Sequence, residues 1–504
     1  MFNETFYPFG PKGESFRKVT ERLEYDRFAS FFEEVRNRGL IFESAEIAPI
    51  YGRMSLLVVD PPLVLRGKDE EFSLEAINPR GERMLTLLEN ELFAFAQDFT
   101  RQKNRLSGRV PRENQLIDEA KRHKQPNISY AVKAILARFN CKEQSLGLYG
   151  AFAYDFIRLF EDIPYQKPPV PVDDFTLFFP DQILIADHFK EQLERHFYDF
   201  FDSQLTAPQL AQKRHEDAQK AAPAAPPKAG LGKLNQRDQK DFEAMVKRAQ
   251  EEIRQGEIFE IVLSRSQYFD CPRHPLEVYH RFRQVNPSPY MFYANFGAEA
   301  LVGASPEMFI RIEDGKVTTR PISGTIARGE DTFEDYENMM ALLNSIKEKS
   351  ELDMLIDLAR NDLSRVCKPG VKVTDYRFVE KYSKVMHTVA NVEGELDRSR
   401  FEPFDALVAS LNAGTLTGAP KIAAMRLIEA FEPVPRGYYG GNIGYLTFNG
   451  NLDFGIIIRT AHIKNGEAEV RVGATLLYDS DPNTEYKETE AKGRAFFHIL
   501  EEGK

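Results

Sequence analysis

Three dipeptides restrict how this chain can fold more than any other feature. Asp314-Gly315, Asn449-Gly450 and Asn465-Gly466 each separate two runs rich in apolar and β-branched residues. Asn-Gly and Asp-Gly accept the left-handed backbone of a tight hairpin, so the flanking runs read as adjacent antiparallel strands. The runs cover residues 300–312 and 316–319, 442–448 and 452–462, and 468–475. Further strands are expected at 54–59 and 258–263, and helices over 82–98, 238–255, 336–357, 417–431 and 485–501. Hairpins mixed with helices, without regular strand–helix–strand alternation, predict an α+β fold built on large antiparallel sheets.

At 504 residues the chain is too long for one simple core. Residues 205–234 are rich in Ala, Pro, Gln and Lys; the first part of this stretch has helical character, and 221–230, AAPAAPPKAG, reads as an exposed linker. The expected organisation is an N-terminal regulatory or structural region (1–204), the linker (205–234) and a C-terminal catalytic domain (235–504). A net charge of −11 argues against a general nucleic-acid or anionic-membrane binder. Three widely spaced cysteines, no signal-peptide pattern and no apolar run long enough to span a bilayer point to a cytoplasmic protein.

Two pairs of glutamates stand at i, i+3 on expected helices, Glu348/Glu351 and Glu485/Glu488. That spacing puts both carboxylates of a pair on one face, which is unfavourable without a cation between them. Mg²⁺, a hard ion that seeks oxygen and keeps its waters, suits such a set; a solvated acidic face beside Lys347, Lys349 and Lys487 is the alternative. The loop from Asp479 to Glu490 lacks the glycine a Ca²⁺ loop needs, having Thr484 there. The glycines of 436–444 lack dinucleotide-binding spacing and suit tight turns or close approach to a ligand. Backbone N–H groups at 472–475 and 417–421 are candidate anion contacts.

Taken in order, GEIFEIVLSR (256–265), VGASPEMF (302–309), RPISGTIARG (320–329), DLARNDLSRV (357–366), YSKVMHTV (382–389), TLTGAPKIAAM (415–425), RGYYGGNIGY (436–445), IIIRTA (456–461) and DSDPNTEYKETEAK (479–492) resemble the chorismate-utilising enzymes, specifically anthranilate synthase component I. The N-terminal half matches more thinly, through LIFESAEI (40–47) and GLYGAFAYDFIRLFEDIP (147–164). The resemblance implies antiparallel sheets with outer helices and a magnesium site of Glu348, Glu351, Glu485 and Glu488 that holds the ring carboxylate of chorismate. It implies that Tyr439, Arg459 and the Gly473/Ala474 backbone hold the enolpyruvyl carboxylate, with Lys492, Gly324 and Thr325 nearby. Many members have Gly where this chain has Thr475. Glu307 matches the general acid for the departing C4 hydroxyl, His387 the histidine linked to pyruvate elimination, and Glu260 and Thr417 join the catalytic set.

Two positions separate the subfamilies. Relatives that activate water carry Lys where this chain has Glu260, and aminodeoxychorismate synthases with a nucleophilic lysine carry it where this chain has Ser323. Ammonia attack at C2 is therefore expected, giving anthranilate and pyruvate. The alternatives are an enzyme that stops at 2-amino-2-deoxyisochorismate and an aminodeoxychorismate synthase. No cysteine lies in a glutaminase-type nucleophile elbow, so ammonia is expected from a separate glutamine amidotransferase subunit, component II, in a hetero-oligomer. L-tryptophan is the expected feedback inhibitor, between Glu43-Ser44 and Pro289-Tyr290-Met291; a chain without tryptophan suits an enzyme upstream of it.

Overall fold

A computed structural model describes residues 2–11, 13–44, 53–112, 125–202, 204–219, 231, 239–382 and 385–502. Two antiparallel sheets organise them, one of twelve strands and one of thirteen. All three expected hairpins form. Glu313 pairs with Lys316, Leu446 with Leu452, and Lys464 with Glu467.

Each sheet is assembled from both halves of the chain. In the twelve-stranded sheet, strands from before residue 200 end at Gly39–Glu43, which pairs with Tyr290–Asn295 in the register Glu43↔Met291. In the other sheet the change occurs between Gly147–Phe152 and Asn442–Thr447, with Gly150 opposite Gly444. The expected division at 205–234 thus falls between halves that share both sheets. Ala207–Gln219 is helical, and the AAPAAPPKAG stretch lies outside the described residues.

The largest apolar cluster draws side chains from both sheets, among them Leu40, Val58, Phe292 and Leu301 from one and Leu65, Phe152, Phe175 and Phe454 from the other. Burying each such side chain stabilises the fold by roughly 1.5–3 kcal/mol. A second cluster covers the opposite face of the twelve-stranded sheet with helices Pro275–Val285 and Pro482–Glu501, whose Phe282 and Phe496 rings stack 3.6 Å apart. Among the described residues no helix is long and apolar enough to cross a membrane.

Several expected elements are broken in ways that matter for the site. The run 300–312 divides at Pro306 into Ala300–Ser305 and Met308–Glu313. The run 452–462 divides into Leu452–Ile456 and Thr460–Lys464, with Arg459 between them at φ +49°. The helix expected over 336–357 is two helices, Thr332–Asn344 and Ile346–Ser364, separated by Ser345. The helix expected from 417 begins at Lys421, because Gly418–Ala419 pairs instead with Glu260 and Ile261. The helix expected over 82–98 is broken into short helical segments, Pro79–Met84, Leu85–Leu87 and Glu89–Phe93, and is followed by a strand, Gln97–Gln102.

Candidate active site

Helix capping decides where the glutamates stand. The Ser345 hydroxyl accepts the Glu348 N–H at 3.2 Å, and Asp481 accepts the Thr484 N–H at 2.8 Å with Pro482 opening the helix. These caps set Glu348, Glu351, Glu485 and Glu488 in the opening turns of two helices, the end where the backbone dipole favours carboxylates. All four line one cavity of about 500 Å³. Burial, and then the neighbouring charge of Glu348, pushes Glu351 up to about 7. Burial also raises Glu485, with Glu488 adding to it. Carboxylates that resist ionising together mark a place a cation would neutralise. Among the described residues no three metal-binding side chains close into a cage by themselves. An all-oxygen set of that kind fits Mg²⁺, which keeps waters and shares ligands with its substrate.

Glu307 occupies the corner made by Pro306. Its backbone carbonyl accepts the Ile456 N–H at 3.1 Å, and its carboxylate accepts the Thr415 hydroxyl at 2.8 Å. Burial pushes its carboxyl up to about 8, against the opposing pull of Thr415 and Lys492. At neutral pH Glu307 therefore carries a proton it can give away. Glu260 is only 1% exposed. Burial, and then Glu351, also pushes it up to about 8, and its Oε2 has no hydrogen-bond partner among the described residues.

His387 Nδ1 lies 3.0 Å from both the Gly324 carbonyl and the Thr325 hydroxyl. A carbonyl only accepts, which assigns the proton to Nδ1 and leaves the Nε2 lone pair free. Burial pulls the imidazole down to about 4, with Arg459 and Lys492 repelling its charged form. Gly324 sits at φ +69°, and a β-carbon there would stand 2.7 Å from the Glu348 carboxylate. Gly473 is similarly constrained, since a β-carbon would meet the Tyr439 hydroxyl at 2.6 Å. The Arg459 side chain lines the cavity with no ion pair or hydrogen bond among the described residues, and burial lowers its pKa. Lys492 is engaged, donating to Glu488 at 2.7 Å and to the Gly473 carbonyl at 3.0 Å.

The cavity therefore gathers Glu260, Glu307, Gly324, Thr325, His387, Tyr439, Arg459, Gly473, Lys492 and the four glutamates. Thr417 and Ala474 do not line it. The Thr417 hydroxyl is used on the Ala413 carbonyl at 3.0 Å, and the Ala474 side chain packs in the core with Ile261 and Leu263. Thr415 reaches the acid instead. Two residues on the same short turn differ in direction, and spacing alone did not distinguish them. Arg471 also lines the cavity and was not expected there; Glu432, at 2.6 Å, and Ser264, at 2.8 Å, hold it.

The chain matches the model of the chorismate binding enzyme family over residues 91–498. It is 36% identical over 483 residues to anthranilate synthase component 1 of Escherichia coli (strain K12), covering 92% of each chain. It is 40% identical to anthranilate synthase component 1 of Acetivibrio thermocellus, over 74% of this chain and 79% of that one. The chain belongs to the chorismate-binding enzymes, in the anthranilate synthase component 1 group. A crystal structure of anthranilate synthase component I from Streptococcus pneumoniae TIGR4 superposes with a TM-score of 0.65 and 29% identity, covering 89% of this chain and 92% of that one.

This family member has a second cleft, of about 250 Å³, lined by Glu43, Ser44, Pro289, Tyr290 and Met291. It lies where both sheets pass from one half of the chain to the other, since Ile443, Gly444 and Tyr445 complete its wall. Arg283 holds both oxygens of Glu43, at 2.7 and 3.0 Å, and the Tyr279 hydroxyl donates to one of them. The expected pairing of Glu43 with an amino group thus competes with an ion pair already made. Asp453, which sequence reasoning missed, also lines the cleft; it accepts the Tyr290 hydroxyl at 2.9 Å and pairs with Arg311 at 2.7 Å.

Proposed function

We propose that this protein is the aminating subunit of an anthranilate synthase, converting chorismate and ammonia to anthranilate and pyruvate. The observation that carries the reading is one cavity holding a protonated Glu307, a neutral His387 and an Arg459 side chain with no ion pair among the described residues. Arg459, beside Tyr439 and Gly473, offers the enolpyruvyl carboxylate a buried countercharge. Glu348, Glu351, Glu485 and Glu488 would hold Mg²⁺, which supplies a grip on the ring carboxylate and polarises the bond to the leaving group. Ammonia forms its bond at C2 as the ring double bonds shift and the C4–O bond breaks. The Glu307 carboxyl protonates the departing hydroxyl, so it leaves as water. At the positions that separate the subfamilies, Glu260 offers no lysine to activate water and Ser323 no amine to attack the ring in place of ammonia.

His387 supports elimination as the second step. With its proton on Nδ1, Nε2 accepts the C2 proton as the C3–O bond breaks and the ring becomes aromatic; the enolate that departs takes up a proton at its methylene carbon to become pyruvate. An enzyme stopping at 2-amino-2-deoxyisochorismate would release the intermediate instead. Ammonia would come from a separate glutamine amidotransferase, and the second cleft would take L-tryptophan as inhibitor, acting by favouring one global state. Incubation with chorismate, Mg²⁺ and ammonium tests the reaction: fluorescent anthranilate should accumulate. Build-up of the amino intermediate alone would establish the shorter reaction.

A further inference from the structure

Buried guanidinium groups provide an internal comparison. Burial lowers the pKa of three described arginines, Arg38, Arg214 and Arg459. Arg214 is compensated by Asp181 at 3.3 Å. The side chains of Arg459 and Arg38 have no ion pair or hydrogen bond among the described residues. A guanidinium stays charged in any protein, so even a half-buried one such as Arg38, with no side-chain partner among the described residues, carries a cost that an anion would offset. Arg459 faces the reaction cavity, where a substrate carboxylate is the natural complement.

Arg38 faces a different cavity, of about 930 Å³, in the first half of the chain. This cavity shares no lining residue with the reaction cavity or the second cleft. The Arg38 Nε is shielded from solvent and has no hydrogen-bond partner among the described residues. The carboxylates around it are already committed. Asp60 pairs with Arg80 at 3.0 Å, Glu34 with Arg195 at 2.9 Å, and Asp202 with Arg83 at 2.8 Å. Glu33 pairs with Arg36 at 3.3 Å, and Asp217 with Arg80 at 3.4 Å. The nearby Arg66, held by Asp173 at 2.9 Å, adds a repelling positive charge to Arg38, while Asp60 and Glu75, engaged by Arg80 and Arg105, attract it from a distance. A guanidinium that shares its nearest carboxylates with other arginines, has a solvent-shielded Nε without a partner among the described residues and faces an open volume has the arrangement of an anion receptor.

We propose that this cavity binds a small oxyanion, the phosphate or carboxylate of a metabolite, on the guanidinium of Arg38. The planar fork of Arg38 would take two oxygens of such a group at once.

The test uses the full chain with sodium phosphate and sodium citrate as separate probes, against sodium chloride at matched ionic strength. Binding is followed by calorimetry and by the thermal midpoint. At least one probe should bind saturably, and whichever binds more tightly distinguishes phosphate from carboxylate. Arg38→Met should abolish that binding, while Arg459→Met should leave it in place. Arg38→Lys, which keeps the charge but loses the fork, guards against a misfolded Met variant and should weaken binding about tenfold. The proposal is overturned if neither probe binds saturably, if Arg459→Met alone removes the binding, or if Arg38→Lys binds as tightly as the parent.

Discussion

The Thr415 hydroxyl donates to the Glu307 carboxylate at 2.8 Å, and this bond both orients the acid and tempers its raised pKa. Thr415→Val removes the donor while keeping the shape. Turnover should fall about tenfold as the carboxyl loses its aim. The alkaline limb of kcat/KM should move upward by up to about one pH unit, since the bond had favoured the ionised form. A pH–rate profile with an unmoved limb would remove Thr415 from the acid's environment.

Glu307 itself is required in its protonated form. Activity in kcat/KM should hold below pH 8 and decline as pH rises through about 8, where burial has placed this carboxyl. Glu307→Gln should lose turnover by about 10²–10⁴ while still binding chorismate. Equilibrium binding measured beside steady-state rates separates the two effects.

The same acid should also influence stability. Burial raises the folded pKa of Glu307 above its ordinary 4.5, so the folded state holds a proton that the unfolded chain releases between about 4.5 and 8. Its contribution is fully present below pH 4.5 and is lost as pH rises through about 8. Glu307→Gln cannot ionise and should therefore gain stability over the parent at pH 8–9, on the order of a few kcal/mol. Denaturant midpoints at pH 5 and pH 9 measure the difference.

Gly324 allows the Glu348 carboxylate to lie where a side chain would intrude, at 2.7 Å from a β-carbon. Gly324→Ala should raise the Mg²⁺ concentration for half-maximal activity at least about tenfold. Its φ of +69° should add a stability loss of about 1–3 kcal/mol. Metal titration and thermal denaturation read the two consequences independently.

Ser44 lines the second cleft and stands outside the reaction cavity. Ser44→Ala should leave the uninhibited rate within about twofold of the parent and raise the tryptophan concentration for half-inhibition severalfold. Inhibition curves for the two proteins, taken at one chorismate concentration, decide the matter.

The elements whose cause is local were legible in the sequence. Asn449-Gly450 and Asn465-Gly466 turn the chain by their own backbone preference, and the spacing of the glutamates survives in the helices that carry them. What remained hidden depends on distant residues. Ser264, Arg265, Ser266 and Gln267 look too polar for an interior strand, yet Glu432, Thr489, Glu469 and Glu490 satisfy them, so the strand runs on to Asp270. The turn at Arg459 was masked by the apolar run Ile456-Ile457-Ile458 that leads into it. Glu43 read as free to meet a ligand because Arg283 is 240 residues away in sequence. The linker composition suggested separable halves, and gave no hint that each half supplies strands to both sheets.

That sharing has a mechanical consequence. Each sheet passes from one half to the other once, and the second cleft touches both places, through Glu43 and Met291 on one side and Gly444 on the other. A molecule seated there acts as a rivet through two joints, and any slip of one half against the other must deform its seat. Cutting the chain within 221–230 would leave two fragments, each with raw sheet edges that only the other can cover.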